Sequence, residues 1–283
     1  MQMISTFKTI HNFIDKYSKN ENEDALCISE NLAFHLFSMS DGAGGAGIYC
    51  KEWATMLASN QPQNPFDNEI DAKSWFLELS KTFYDLQRPK IDMSDPFIRE
   101  KFHEEGSYAT IVYCWFSKSK RKLYYTVIGD STLFVFSKLG NDFKPKIIFP
   151  INEQVSLDDA PYLLNWRKEL RNGLVSLEID IEKGDVVLMS TDSLARRIIY
   201  QLLIMDQVNT ESILGESIIK NINKDLLEYI KINYLNLYNI KKFLDYCKRL
   251  IYSEIPTFQK ILAKLIDNNE LEKDDFSIIY IEV

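Results

Sequence analysis

Four aspartates fall where a strand-like run meets a turn: Asp24, Asp41, Asp192 and Asp274. Asp24 opens and Asp41 closes a pair of β-rich runs, 24–29 and 32–40, joined by a Glu30-Asn31 corner that reads as a hairpin. Antiparallel pairing lays the start of one strand beside the end of its partner, so both carboxylates are expected at one end of that hairpin. Asp192 follows the apolar run Val186-Val187-Leu188-Met189, and Asp274 precedes the final strand, Phe276 to Val283. If those two strands also pair antiparallel, Asp192 and Asp274 share an end too. Carboxylates stacked at one edge, with no basic residue in their motifs, repel one another unless protons or cations neutralise them. All-oxygen ligation suits Mg²⁺ or Mn²⁺ rather than zinc or copper. Any single aspartate at a turn is explained as well by its habit of satisfying loose backbone donors. The signal lies in the joint pattern of carboxylate, glycine turn and apolar strand.

The elements that must carry these residues are legible in outline. A glycine-rich turn, Asp41 to Gly47, leads into a helix-like stretch from Tyr49 to Ser59. Residues 70–88 form a second amphipathic helix, with Trp75, Leu79, Phe83 and Leu86 at helical spacing. Asp95-Pro96 starts a short helix. Strand signals follow at 108–116, 123–128, 132–136, 147–149, 174–179 and 186–189, and helical patterning runs from Leu194 to Ile266 before the closing strand. The region around 138–172 reads as a loop or flap. Because strands and helices do not alternate as βαβ units, an antiparallel α+β layered fold is favoured over a doubly wound sheet. The chain is expected to be one domain over 1–283.

Composition narrows the classes further. With 283 residues, 46% hydrophobic and 26% charged, the chain can bury a full core without disulfides or a structural metal. A formal charge of −8 lacks the basic footprint of sequence-independent nucleic-acid binding. Cys27, Cys50, Cys114 and Cys247 show no C-x-x-C spacing and read as reduced, mostly buried thiols. The longest stretch without a charged residue, Trp53 to Phe66, is too short and too polar to span a membrane. With no secretory layout at the N-terminus, the expected location is cytoplasmic. None of the three histidines, His11, His35 and His103, lies in a motif.

Six segments, in order, resemble the type-2C (PPM) metal-dependent protein serine/threonine phosphatases in a bacterial version. They are Asn22-Glu23-Asp24-Ala25, Ser40-Asp41-Gly42-Ala43-Gly44-Gly45, Gly106-Ser107-Tyr108-Ala109-Thr110 and Ile128-Gly129-Asp130-Ser131. The remaining two are Gly184-Asp185 leading to Leu188-Met189-Ser190-Thr191-Asp192-Ser193, and Asp274-Asp275-Phe276-Ser277. Each is weak alone; the order and spacing hold from residue 19 to 283. The least family-like part is the helical stretch near 205–268, which reads as an elaboration that chooses the partner.

The resemblance implies a four-layer αββα sandwich of two antiparallel sheets flanked by helices. It also implies that Asp41 bridges two Mg²⁺ or Mn²⁺ ions, with the Gly42 carbonyl on the second. Asp192 and Asp274 would complete the first, and Asp24 with Glu23 would hold metal-bound waters. Asp130 matches a position that helps hold a third, weaker metal. The activity implied is hydrolysis of phosphoserine and phosphothreonine in a phosphorylated protein by a hydroxide shared between two metals, opposing a serine/threonine kinase. Three positions depart from the pattern. Lys19 stands where the family has a phosphate-gripping Arg, keeping the charge but not the bidentate fork. Ala43 stands where some members carry a His. Arg196, four residues after Asp192, stands where many members place another acid.

Two other readings compete. Gly42 to Gly47 also matches G-x-G-x-x-G, the dinucleotide-binding fingerprint, but no second strand follows the helix and the acid before the first glycine would repel a pyrophosphate. A catalytically weak type-2C fold that docks a kinase or phosphoprotein is the other; Lys19 and Arg196 support it.

Overall fold

The structure is a computed structural model that describes residues 4–10, 22–43, 47–92, 94–151, 161–234 and 239–283. In chain order its strands are β1 (Ile4–Ile10), β2 (Ala25–Glu30), β3 (Phe34–Ser40), β4 (Tyr108–Ala109), β5 (Ile111–Ser117) and β6 (Lys122–Ile128). They continue with β7 (Thr132–Leu139), β8 (Asp142–Phe149), β9 (Leu164–Asn165), β10 (Leu177–Asp180), β11 (Val186–Ser190) and β12 (Phe276–Glu282). The helices are α1 (Cys50–Ser59), α2 (Glu69–Gln87), α3 (Pro96–Glu100), α4 (Asp192–Met205) and α5 (Gln207–Leu214). After them come α6 (Glu216–Lys220), α7 (Lys224–Asn233), α8 (Ile240–Tyr252) and α9 (Ile255–Asp267). Among the described residues every strand pairing is antiparallel, so the α+β reading holds.

The chain divides into two compact units. An inner unit spans Glu21–Gly129 and Tyr162–Asp180, and a terminal unit spans Met1–Asn20, Asp130–Pro161 and Ile181–Val283. In the inner unit the sheet order is β10-β6-β5-β3-β2, with β4 and β9 as a separate short ladder. The central strand β5 is paired on both edges, and its side chains are buried from end to end. Its Tyr113 and Trp115 pack with Trp53 of α1 and Phe76 and Phe83 of α2 in one aromatic-rich core. Burying each such ring contributes roughly 1.5–3 kcal/mol. The polar edges of these aromatics are satisfied rather than stranded: Trp53 Nε1 donates to the Leu164 carbonyl at 3.0 Å, and the Tyr113 hydroxyl to the Leu57 carbonyl at 2.7 Å. Local signals set the helix starts. Asn68 caps α2 by accepting from Ile70 and Asp71 N–H, and Asp95 caps α3 ahead of Pro96.

In the terminal unit the sheet order is β1-β12-β11-β7-β8. Phe134, Phe136, Leu188, Ile278 and Tyr280 of its strands share a core with residues of α4, α5, α6, α7 and α8. Within this unit Arg197 pairs with Glu270 at 3.0 Å, both side chains being almost fully buried. Tyr234 and Asn268 also donate to that carboxylate, so the buried charge is enclosed by donors.

Several sequence expectations shift. The hairpin turn lies at Asn31–Ala33, where Asn31 Oδ1 accepts from Ala33 and Phe34 N–H, rather than at Glu30-Asn31. Leu86 was placed on the buried stripe of its helix but is 52% exposed; Ala72, Phe76, Leu79 and Phe83 carry the buried face. The region 138–172 is not one loop, since β8 and β9 lie in it; residues 152–160 fall outside the described ones. The last helical region begins at Asp192 itself. The four cysteines are free thiols. Among the described residues no helix is long and apolar enough to cross a membrane.

Candidate metal centre

In the inner unit, Ala25 pairs with Ser40, so Asp24 and Asp41, one residue beyond each, sit at the same end of the β2–β3 hairpin. The segment after Asp41 does not leave the sheet freely. Gly42 bridges Ala109 in antiparallel fashion, Thr110 N–H donates to the Asp41 carbonyl at 2.8 Å, and Ala43 N–H donates to the Tyr108 carbonyl at 3.0 Å. Thr110 Oγ1 accepts from the Asp41 N–H at 3.0 Å, so both main-chain groups of Asp41 are held by one residue. Gly42 is required there by packing. A Cβ would lie 2.8 Å from the Cys50 carbonyl oxygen and 3.0 Å from that of Glu23, both backbone atoms that cannot swing aside. The turn is tied down further on as well. Ile48 N–H donates to the Gly106 carbonyl at 3.0 Å, Cys50 Sγ donates to the Ala43 carbonyl at 3.2 Å, and the Ser107 hydroxyl donates to the Ile48 carbonyl. Burial pushes the Cys50 thiol up to about 11, so it is a packing group and no thiolate ligand at neutral pH.

In the terminal unit the register aligns three strand ends. Thr132 pairs with Ser190, and Ser190 with Ile278. Asp130 precedes β7, Asp192 follows β11 and Asp274 precedes β12, so the three carboxylates lie at one end of adjacent strands. Thr191 locks this end: its N–H donates to the Ser277 carbonyl at 3.1 Å, while its Oγ1 accepts from Ser277 N–H at 3.0 Å. Asp192 is the first residue of α4, where unpaired N–H groups favour negative charge. Even so, burial and then the charge of Asp274 push its carboxyl up to about 6. Asp130 is pushed to about 6 as well, first by burial and then by Asp192. Arg196 opposes both shifts. One helical turn after Asp192, its guanidinium donates to Glu272 Oε1 at 2.9 Å.

Glu23, Asp24, Asp41 and Gly42 therefore lie together in the inner unit, and Asp130, Asp192 and Asp274 together in the terminal unit. Lys19, Gly44 and Gly45 lie outside the described residues. Two partners were not singled out from sequence. Thr110 was read only as a strand start, and its hold on Asp41 depends on strand pairing between residues 69 apart. Glu272 belongs to no motif in the sequence, although the i, i+4 spacing of Asp192 and Arg196 puts a cation on that helix face.

Three solved structures are similar over nearly the whole chain. One is a bacterial serine phosphatase, 11% identical, with 100% of this chain and 98% of that one covered and a TM-score of 0.50. The chain has the type-2C phosphatase fold. The Staphylococcus aureus serine/threonine phosphatase Stp1 is 13% identical at a TM-score of 0.47, covering 100% of this chain and 94% of that one. The catalytic domain of the serine/threonine protein phosphatase PstP, in complex with two manganese ions, is 13% identical at 0.47, covering 99% and 97%. No family model matches the sequence, and no curated protein matches it either. Among the described residues no group of three or more His, Cys, Asp or Glu is gathered closely enough to hold an ion. The donor chemistry of this type-2C fold nevertheless fits a hard dication. The groups at the two strand-end clusters are carboxylates and a main-chain carbonyl, and the burial and mutual repulsion that raise Asp192 and Asp130 are what a bound cation would offset.

Proposed function

We propose that this chain is a metal-dependent phosphatase of phosphoserine and phosphothreonine in proteins. The observation that carries it is the shared strand end of Asp130, Asp192 and Asp274, where burial and then neighbouring like charge push Asp192 and Asp130 up to about 6, in a fold of the type-2C phosphatases. Asp41 and the Gly42 carbonyl in the inner unit, and Asp192 and Asp274 in the terminal unit, are each proposed as ligands of Mg²⁺ or Mn²⁺. Glu23 and Asp24 orient water, and Asp130 is an outer carboxylate. When bound, the ions supply a water that deprotonates near neutral pH and neutralise charge on the phosphoryl oxygens. The protein's own part is positional. Thr110 and the Gly42–Ala109 bridge fix the Asp41 main chain, Thr191 fixes the start of α4, and Arg196 limits the negative charge around Asp192.

The test is hydrolysis of p-nitrophenyl phosphate. Turnover is expected with Mn²⁺ and abolished by EDTA. Asp41→Asn and Asp192→Asn should each lower it by at least about a hundredfold while circular dichroism and Tm show a folded chain. Full activity in both variants would reject the assignment of ligands. The presence of Arg196 at the acidic end favours one second reading, a regulator that binds phosphoproteins without hydrolysing them. Phosphopeptide binding with no Mn²⁺-dependent turnover would select that reading.

A further inference from the structure

The bridge between Gly42 and Ala109 decides which side chains share a face. It is flanked by the Ala43-to-Tyr108 and Thr110-to-Asp41 hydrogen bonds, so Asp41 stands opposite Thr110 and Ala43 opposite Tyr108. Side chains alternate along each row, which puts Asp41, Ala43, Thr110 and Tyr108 on one face and Gly42 and Ala109 on the other. Ala109 is fully buried in the aromatic core; on the other face Thr110 is buried as well, while Asp41 and Tyr108 are half-buried. Tyr108 in turn pairs with Asn165 of β9, and the chain beyond β9 folds back over it. Lys168 Nζ donates to the Tyr108 hydroxyl at 2.8 Å and lies 4.9 Å from the centre of its ring. Arg167 packs against Gly106, where a Cβ would lie 2.7 Å from its Cγ, and its guanidinium is 5.6 Å from the Trp166 ring centre. Two exposed cations are thus steadied on aromatic rings beside the strand that holds Asp41, in a chain whose formal charge is −8.

We propose that Tyr108, Lys168 and Arg167 form a cationic rim on the Asp41 face that selects phosphopeptides bearing acidic side chains near the phosphorylated residue. This rests on the phosphatase reading for the identity of the site, and adds the class of sequence it accepts. The span sets the register. Tyr108 is diagonal to Asp41 across one strand spacing and two residues, on the order of 7–8 Å. An extended peptide advances about 3.4 Å per residue. The rim therefore meets side chains two or three residues from the phosphate, and it does so by charge, because the Lys168 amine and the Arg167 guanidinium offer donors and no acceptor.

The experiment uses the intact chain and two labelled phosphothreonine peptides, one flanked on both sides by glutamates and one by lysines. Binding is followed by fluorescence anisotropy in EDTA, where metal-dependent turnover is stopped. The glutamate peptide should bind the wild-type chain about five- to tenfold more tightly, with the advantage shrinking as salt rises. Lys168→Glu should cancel or invert the preference, Arg167→Glu should reduce it, and Lys168→Arg should retain it. Equal loss of both peptides in Lys168→Glu, with an unchanged ratio, would mean a structural role and overturn the proposal. So would a wild-type chain with no preference between the peptides. Mn²⁺-dependent hydrolysis of p-nitrophenyl phosphate, measured alongside, reports on the phosphatase reading separately: a charge preference without turnover would sink that reading and leave the rim standing.

Discussion

The two acidic clusters are built by different means. In the inner unit Asp41 is placed by its backbone. The Gly42–Ala109 bridge, the two hydrogen bonds to Thr110 and the lack of room at Gly42 leave the segment one path. In the terminal unit the strand register brings Asp130, Asp192 and Asp274 to one end, and burial with like charge pushes Asp192 and Asp130 each to about 6, Arg196 opposing both shifts and Glu272 adding to that of Asp192. One cluster is specified sterically and the other is held under charge stress. The first should fail when volume is added, at any pH. The second should respond to protons, cations and charge substitutions.

The largest effect should come from Gly42→Val. Its side chain meets the backbone of Cys50 and Glu23, so the Asp41–Gly42 segment must shift by a sizeable fraction of an ångström. Loss of stability by about 1–3 kcal/mol in urea titrations is expected, with turnover lowered about a hundredfold by the misplaced ligand segment. Both losses should be the same at pH 5 and pH 8. Wild-type stability and activity in this variant would remove the steric half of the comparison.

Asp192→Asn should behave in the opposite way. The carboxyl of Asp192 has its folded pKa raised from 3.8 to about 6, so as pH climbs through that window the unfolded chain ionises first and the folded chain loses stability. The cost is absent below about pH 4 and complete above about pH 6.5. In metal-free protein the asparagine variant should therefore gain about 3 kcal/mol at neutral pH and nothing at pH 4. It should also lose much of the rise in Tm that Mn²⁺ gives the wild type. For the wild type, Mn²⁺ affinity should fall as pH drops below 6, because protons and the ion compete for the same oxygens. A metal-free variant no more stable than wild type at pH 7 would show that Asp192 is not under strain.

The smallest effect belongs to Arg196→Ala. Removing this cation takes away an interaction that lowers both Asp192 and Asp130, so the two carboxyls should titrate still higher. The metal-free chain should lose about 0.5–1 kcal/mol at neutral pH. At pH 8, where the carboxyls are ionised in either case, calorimetry should show Mn²⁺ binding severalfold more tightly. Weaker binding at that pH would mean that Arg196 orients the carboxylates instead of opposing the ion.

Much of this arrangement was legible in the chain itself. Apolar runs with aspartates at their ends marked β2, β3, β11 and β12, apolar spacing marked α2, and Asp95-Pro96 marked the start of α3. These are local signals: period, turn chemistry and capping act within a few residues of each other. The exposed Leu86 shows where such reasoning weakens, because helical spacing says that a stripe exists but packing chooses which residues occupy it. Thr110 and Glu272 were missed for a related reason. Their partners lie 69 and 76 residues away, and nothing in the local pattern points across that distance.

By itself the sequence determined the residue types at each strand end, and with them the chemistry available: carboxylates, a glycine turn and few bases. The tertiary structure alone decided the company those groups keep. Strand register makes Asp192 a neighbour of Asp274 and Asp130, and a two-residue ladder brings Lys168 to Tyr108 on the Asp41 face. Charge interactions fall off over a few ångströms, so their strength depends on distances that only the folded chain sets.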